Sequence, residues 1–382
     1  MDVNAEADGI AARGVGVDIR KATQSYEDWL GTRITLIPAD LATKHESMAS
    51  APFPFLRATF YRWMQLWPKV CAECARAPKV LGVGDLHLEN FGTWRDVEGR
   101  LAWGINDFDE AYPGPYTLDL TRLAASAHLA IAGSHLQLEK KDACEAILKG
   151  YMEGLASGGR PFVLAEHHPW LRSMMTSVLR DPEQFWRKMD ALPTIETRVP
   201  PNAVRAVRRM MPDDGLDIRV VHRVAGLGSL GRERFVAIAE FHGGKVAREA
   251  KALAPSAYVW AETRKGVDPD QRLRYQEIVD RAVRALDPFV KLKGKWIVRR
   301  LAPDCSRVEL AAMPKERDET RLLQAMGFET ANIHLGTKKA AKTISGDLAK
   351  RGRGWLHAAA EHMANATIKD WDDWRSKRGQ RQ

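Results

Sequence analysis

The chain holds only four cysteines in 382 residues, too few for the disulfide framework of a small secreted domain. No apolar run approaches the ~20 residues that a membrane-spanning helix requires. The first thirty residues, Met1 to Leu30, are acidic and basic by turns and lack an apolar signal core. A cytoplasmic protein without membrane contact is therefore expected. There is no internal repeat, no zinc-finger spacing and no aromatic-rich RNA motif. Cys71 and Cys74 form a CxxC, but two further ligands at similar spacing are missing and no βαβ pattern surrounds it, so buried, inert thiols are expected.

What is present is ordinary globular composition, 45% hydrophobic and 28% charged, in a chain long enough for two lobes. The net charge of +9 favours an anionic partner. The basic residues are spread out, with short clusters at Arg205–Arg209 and Lys338–Arg353, so nucleotide phosphate is a better expectation than nucleic acid.

Residues 1–79 read as helix and loop. Met48–Arg57 reads as a Pro-punctuated turn opening an amphipathic helix through Phe60, Trp63, Met64 and Trp67. Residues 80–83 and 101–105 read as strands with a turn at Glu98-Gly99-Arg100 between them. A helix is predicted from about Asp119, on the stripe Leu120, Leu123, Ala124, Ala127 and Ile131. Residues 140–215 read as helices punctuated by prolines. The period then changes: 218–224, 234–240 and 245–250 read as strands joined by glycine-rich turns. A helical stripe follows at Tyr275, Ile278, Val279, Ala282 and Leu286, then a strand at Trp296–Leu301, then helix.

Two segments carry chemistry. Gly84-Asp-Leu-His-Leu-Glu-Asn-Phe-Gly92 puts Asp85 and Asn90 on one loop after a strand, and Asn106-Asp-Phe-Asp-Glu110 follows the strand 101–105. Phosphoryl transfer from ATP needs a carboxylate near the attacking hydroxyl and oxygen ligands holding Mg²⁺ on the phosphates. Asp85, Asn90 and Asp107 suit those tasks, with Asp109 a further acidic neighbour. Asp85 and Asn90 could instead merely cap turns. The second segment is Gly226-Leu-Gly-Ser-Leu-Gly231. A dinucleotide site needs such glycines to open a helix, but Gly226, Gly228 and Gly231 lead into an apolar strand. Strand, glycine loop, strand is the arrangement that covers phosphates in kinases, and Lys251 near the end of the next strand could reach them. A glycine-rich hairpin with a surface lysine is the plainer alternative.

Gly84–Asn90 resembles the catalytic loop of aminoglycoside-phosphotransferase-like kinases. Ser50–Arg57, Gly84–Gly92 and Asn106–Ser126 resemble more closely a bacterial family of unknown function assigned to the protein-kinase-like superfamily. The resemblance implies ATP and Mg²⁺ as cofactors, Asp85 as catalytic base, and Asn90 and Asp107 as metal ligands. It makes Asp119 a buried carboxylate holding the catalytic loop, although a helix N-cap reads equally well. Glu277 or Glu262 would pair Lys251, and Arg57 falls in a resembling block. The acceptor is not implied. The fold expected is α+β, two-lobed and kinase-like: a helical large lobe over 1–215, a β-rich nucleotide lobe over 216–303, and completing helices over 304–382. Since the catalytic loop precedes the glycine loop, the fold should be circularly permuted. A nucleotide-binding pseudokinase and an AMP-transferring enzyme are the rival readings.

Overall fold

Apolar residues three and four apart, with proline breaks between runs, divide the N-terminal part into successive helices. In a computed structural model, which describes residues 17–176, 181–195, 199–305, 307, 309 and 318–376, these run Ile19–Gly31, Pro38–Ser50, Pro52–Ala58 and Phe60–Val70. The stretch 48–57 is thus mostly helix rather than turn. Pro52 sits at the first helical position, where its missing N–H is no loss, and only Ala51 is extended. Phe60, Trp63, Met64 and Trp67 are all buried.

Small antiparallel sheets sit among the helices, an α+β arrangement. Strand β1 (Lys79–Gly82) pairs with β4 (Tyr112–Pro115). Strands β2 (Phe91–Arg95) and β3 (Leu101–Ile105) form a hairpin extended by β5 (Phe162–Val163). The turn at residues 98–100 therefore joins 91–95 to 101–105 and not 80–83 to 101–105. Asp96 tightens that turn by accepting from the Glu98 and Arg100 amides. The long helix starts at Tyr116, three residues before the predicted point, because Pro115 supplies the entry conformation.

A five-stranded sheet follows: β6 (Arg219–His222), β7 (Arg234–Phe241), β8 (Gly244–Ala252), β9 (Lys291–Lys293) and β10 (Trp296–Leu301), in the order β6-β7-β8-β10-β9. The helices Ala257–Thr263 and Tyr275–Arg281 lie between β8 and β9 in sequence; the second stops at Arg281, so the predicted stripe ends short of Leu286, which is exposed. One sheet face sends Phe235, Ala237, Ala250, Trp296 and Val298 into the main core. Part of the other face (Val221, Val236, Ile238, Ala247, Leu301) is covered by Phe185 and Met189. The helix Pro182–Asp190 thus packs with the sheet. No described helix is long and apolar enough to cross a membrane.

Beneath the hairpin, helices Lys140–Ser157 and Glu319–His334 cross at glycines. A Cβ on Gly150 would stand 1.8 Å from the Gln324 carbonyl oxygen, and one on Gly327 would stand 2.0 Å from that of Ile147. Alanine normally favours a helix over glycine by about 1 kcal/mol, but here the backbones touch. Gly150→Ala should therefore destabilise the fold by about 2–3 kcal/mol, read as a lower denaturation midpoint; a neutral or stabilising result would contradict the contact.

Candidate active site

The helix Tyr116–Ala132 is buried along nearly its whole length, and it serves as a template. Asp119, Arg122 and Ser126 fall at i, i+3 and i+7, on one face, and each holds the loop after β1. Asp119 accepts hydrogen bonds from the Val83 and Gly84 amides at 2.7 and 2.8 Å and is 2.9 Å from His334 Nε2. It therefore holds the loop and does not cap its own helix. Ser126 Oγ accepts from the Leu88 amide at 3.1 Å. Arg122 donates through Nε to Asp85 Oδ1 at 2.7 Å, also through Nη2, and to the Leu56 carbonyl at 2.8 Å. Its guanidinium lies over the rings of Phe60 and Trp63.

The loop so held carries Asp85 and Asn90. Burial pushes the Asp85 carboxyl up to about 7, against the opposing pull of Arg122. Asn90 Nδ2 donates to the Asp85 carbonyl at 2.9 Å, and the Asn106 amide donates to the Asn90 carbonyl at 3.0 Å. The second bond joins the loop to the hairpin end that carries Asp107. His87 is held neutral by burial and by Arg57, well below its ordinary pKa, and its Nδ1 accepts from the Glu89 amide. Arg57 pairs with Glu89 at 2.5 Å and lines the same hollow as Asp85 and Asn90.

Beside that hollow stands the buried end of β8 in the five-stranded sheet. Lys251, 2% exposed, lies 2.6 Å from Asp109 and 3.5 Å from Asp107. A surface lysine is thereby excluded. Burial lowers the Lys251 pKa. Burial would raise Asp107, but the charges of Lys251 and Arg307 outweigh it and hold that carboxyl well below its usual range. Asp109 is pushed up to about 6 by burial and by Asp107 beside it. Its Oδ1 is buried without a hydrogen-bond partner. Arg232 bonds Glu110 at 3.0 Å, and Glu110 in turn accepts from the Ala257 amide, so Glu110 braces a helix start.

The glycine loop closes the hollow. Gly226 and Gly231 have φ of +76° and +93°, values that exclude ordinary side chains. A Cβ on Gly228 would stand 3.3 Å from Asp85 Oδ2 and 3.0 Å from the Arg57 carbonyl. Asp85, Asn90, Asp107, Asp109, Gly226 and Gly228 thus line one space. Gly226 and Arg307 also line an adjoining basic hollow with Arg223, Arg234, Arg299 and Arg300.

Neither candidate glutamate reaches Lys251. Glu277 pairs with Arg274 and Arg281, because its helix buries Tyr275, Ile278 and Val279 and turns position 277 outward. Glu262 pairs with Lys265. The sheet's buried glutamate is instead Glu249, fully enclosed by Arg223, Arg234 and Arg299 at 2.8–2.9 Å. Burial opposes its ionisation, yet those three charges hold it well below the ordinary range. Sequence reading missed Arg122, Arg232 and Glu249. The available signals were a cation among the apolar positions of a buried helix, and charges at alternate positions, 249 and 251, of a strand.

A family model described as an uncharacterized protein conserved in bacteria (DUF2252) matches residues 36–161. That span contains the loop, the hairpin and the template helix, and ends before the five-stranded sheet. No curated protein and no solved structure matches the chain.

Removing one member of a buried ion network leaves the rest uncompensated. Glu249→Ala should destabilise the fold by about 3–5 kcal/mol, measured by denaturant unfolding. A loss under ~1 kcal/mol would show that solvent screens the three arginines.

Proposed function

We propose that the chain is an ATP- and Mg²⁺-dependent phosphotransferase acting on a hydroxyl, with a circularly permuted, protein-kinase-like fold. One observation carries this reading: Lys251, on the third strand of a sheet whose first two strands are joined by a glycine loop, meets Asp107 and Asp109 across a cleft that also contains Asp85 and Asn90. A phosphate-covering glycine loop, a strand lysine, a carboxylate near the acceptor and amide-plus-carboxylate metal ligands are the parts that phosphoryl transfer uses.

The residues fit the ion. Asn90, Asp107 and Asp109 offer hard oxygen donors of the kind Mg²⁺ prefers, and the buried, unbonded Asp109 Oδ1 is an acceptor in need of a partner. Bound Mg²⁺ would neutralise phosphate charge. Lys251 would turn from the aspartates to the phosphates, with Arg307 and the neighbouring arginines adding positive charge. Asp85, oriented by Arg122 through Oδ1, keeps Oδ2 toward the glycine loop, where it would take the proton of an acceptor hydroxyl. A base with a pKa near working pH is the efficient one.

Incubation with γ-labelled and α-labelled ATP plus Mg²⁺ tests the reading: γ label should appear on protein or on a component of cell extract. Transfer of α label would indicate AMP transfer instead, and absence of Mg·ATP binding by calorimetry would remove the proposal. Asp85→Asn should keep nucleotide affinity while transfer falls roughly 10²–10⁴-fold. Since burial raises this carboxyl, the reactive carboxylate is present above about pH 7 and is lost as pH falls through it. The kcat/KM profile should therefore carry an acid limb near pH 7 that Asp85→Asn flattens; a limb unchanged in the variant would exclude Asp85 as the base.

A further inference from the structure

Away from the cleft, three helices bring together His128 (on Tyr116–Ala132), Cys144 (on Lys140–Ser157) and His357 (on Trp355–Ser376). One ligand atom from each lies within 4.8 Å of the others. His128 Nε2 is 3.2 Å from Cys144 Sγ. The two imidazoles are 5.2 Å apart between centroids and inclined at 57°, so they converge without stacking. His128 and Cys144 are buried, at 1% and 3% exposure. His357 Nδ1 is buried without a hydrogen-bond partner. Glu361 follows His357 by four residues, on the same helix face, and its charge acts on both His128 and Cys144.

We propose that His128, Cys144 and His357 form a structural zinc-class metal site, with Glu361 or water completing a tetrahedron. Zinc bonds of about 2.0–2.3 Å imply neighbouring ligands roughly 3.3–3.7 Å apart. The His128–Cys144 pair, at 3.2 Å, is within about 0.1 Å of that spacing, and the remaining separations, up to 4.8 Å, need about 1 Å of closure. Binding forms a metal–thiolate bond and releases the Cys144 proton to solvent. With Glu361 as fourth ligand, its carboxylate and the thiolate would together cancel the dication, so no net charge would be buried at the junction. A neutral imidazole offers a ring-nitrogen lone pair to a metal. Imidazole and thiolate select zinc or cobalt over Mg²⁺, so this site is chemically separate from the oxygen donors of the cleft. Its position gives it a task. His128 lies six residues beyond Arg122 on the template helix, about 9 Å along the axis, and the ion would clamp that helix to its two neighbours.

The alternative is an ordinary core hydrogen bond between His128 and Cys144, with no metal. Cobalt titration of the chelator-treated full chain separates the two. One equivalent of Co²⁺ should produce the intense visible bands of tetrahedral cobalt and a near-ultraviolet thiolate charge-transfer band, and Zn²⁺ should displace it. Zn²⁺ should also raise Tm, since a ligand bound only by the native state stabilises it. Cys144→Ser should remove the charge-transfer band, while the double variant Cys71→Ser, Cys74→Ser should retain it. If Cys144→Ser fails to fold, His357→Gln, at a half-buried position, serves instead: it should weaken cobalt affinity at least tenfold. The proposal is overturned if wild type gives no thiolate band, if the band follows Cys71 and Cys74, or if His357→Gln binds cobalt as wild type does.

Discussion

The geometry of the cleft rests on one buried carboxylate. Asp119 accepts from two consecutive amides, Val83 and Gly84, and from His334, whose other nitrogen meets the Tyr151 hydroxyl at 2.7 Å. Three segments far apart in sequence are thereby tied at one point. Without that acceptor two buried N–H groups would lose their partner, at about 1–3 kcal/mol each, and the turn at Gly84 would lose its anchor. The close fit shows at Gly82, where a Cβ would stand 2.9 Å from Asp119 Oδ2. One and two turns further along the same helix, Arg122 and Ser126 hold the side chain of Asp85 and the backbone of Leu88. The position of Asp85 is thus set by a rigid element behind it rather than by the loop that carries it.

The charges facing that loop form a second constraint of a different kind. A buried ion pair adds little net stability compared with well-packed apolar residues, but losing one partner is expensive. The sheet end with Glu249, Lys251, Arg234 and Arg299 is therefore a poor choice for stability alone. Its effect is to split the acidic groups. Asp107 is held ionised by Lys251 and Arg307 against its burial, while burial raises Asp109 to about 6 and Asp85 to about 7. Carboxyls driven apart within one cleft can take different protonation roles near neutral pH, which is where acid–base sites are commonly found.

Much of this was readable from the chain because it depends on local patterns. Trp296–Leu301 opens on three apolar residues and is a strand, and Gly226–Gly231 lies between two strands, with a single 3₁₀ turn at Leu227–Ser229 in place of an α-helix. Asp85, Asn90, Asp107 and Lys251 were legible as residue types at loop and strand ends. What was not legible depends on pairing. Phe91–Arg95 mixes glycine, threonine and arginine with aromatics, so it has no two-residue period, and only its partner β3 makes it a strand. Glu249 reads as a solvent-facing charge until the fold brings three arginines from neighbouring segments around it. Arg122 and Ser126 were hidden by the stronger apolar stripe of their own helix. The partner of Lys251 was sought on a helix, whereas the aspartates at the hairpin end occupy it.

Under the proposed reading, the order of the chain has a geometric requirement. A kinase-like domain opened between its large-lobe helices and its catalytic loop must bring the helix after the sheet back beside the helices that precede the loop. The helices Ile19–Gly31 and Trp355–Ser376 meet that requirement. The Arg20 guanidinium lies 4.6 Å from the Trp374 ring, and Ile19 shares a small core with Trp374, Met48 and Phe55. Arg62 reaches the same C-terminal helix through paired bonds to Asp370 at 2.7 and 3.0 Å. A contact of this kind lets a chain be rejoined at one point and opened at another without disturbing its core. The cleft then depends only on which segments meet, and the order in which the chain visits them is free to differ.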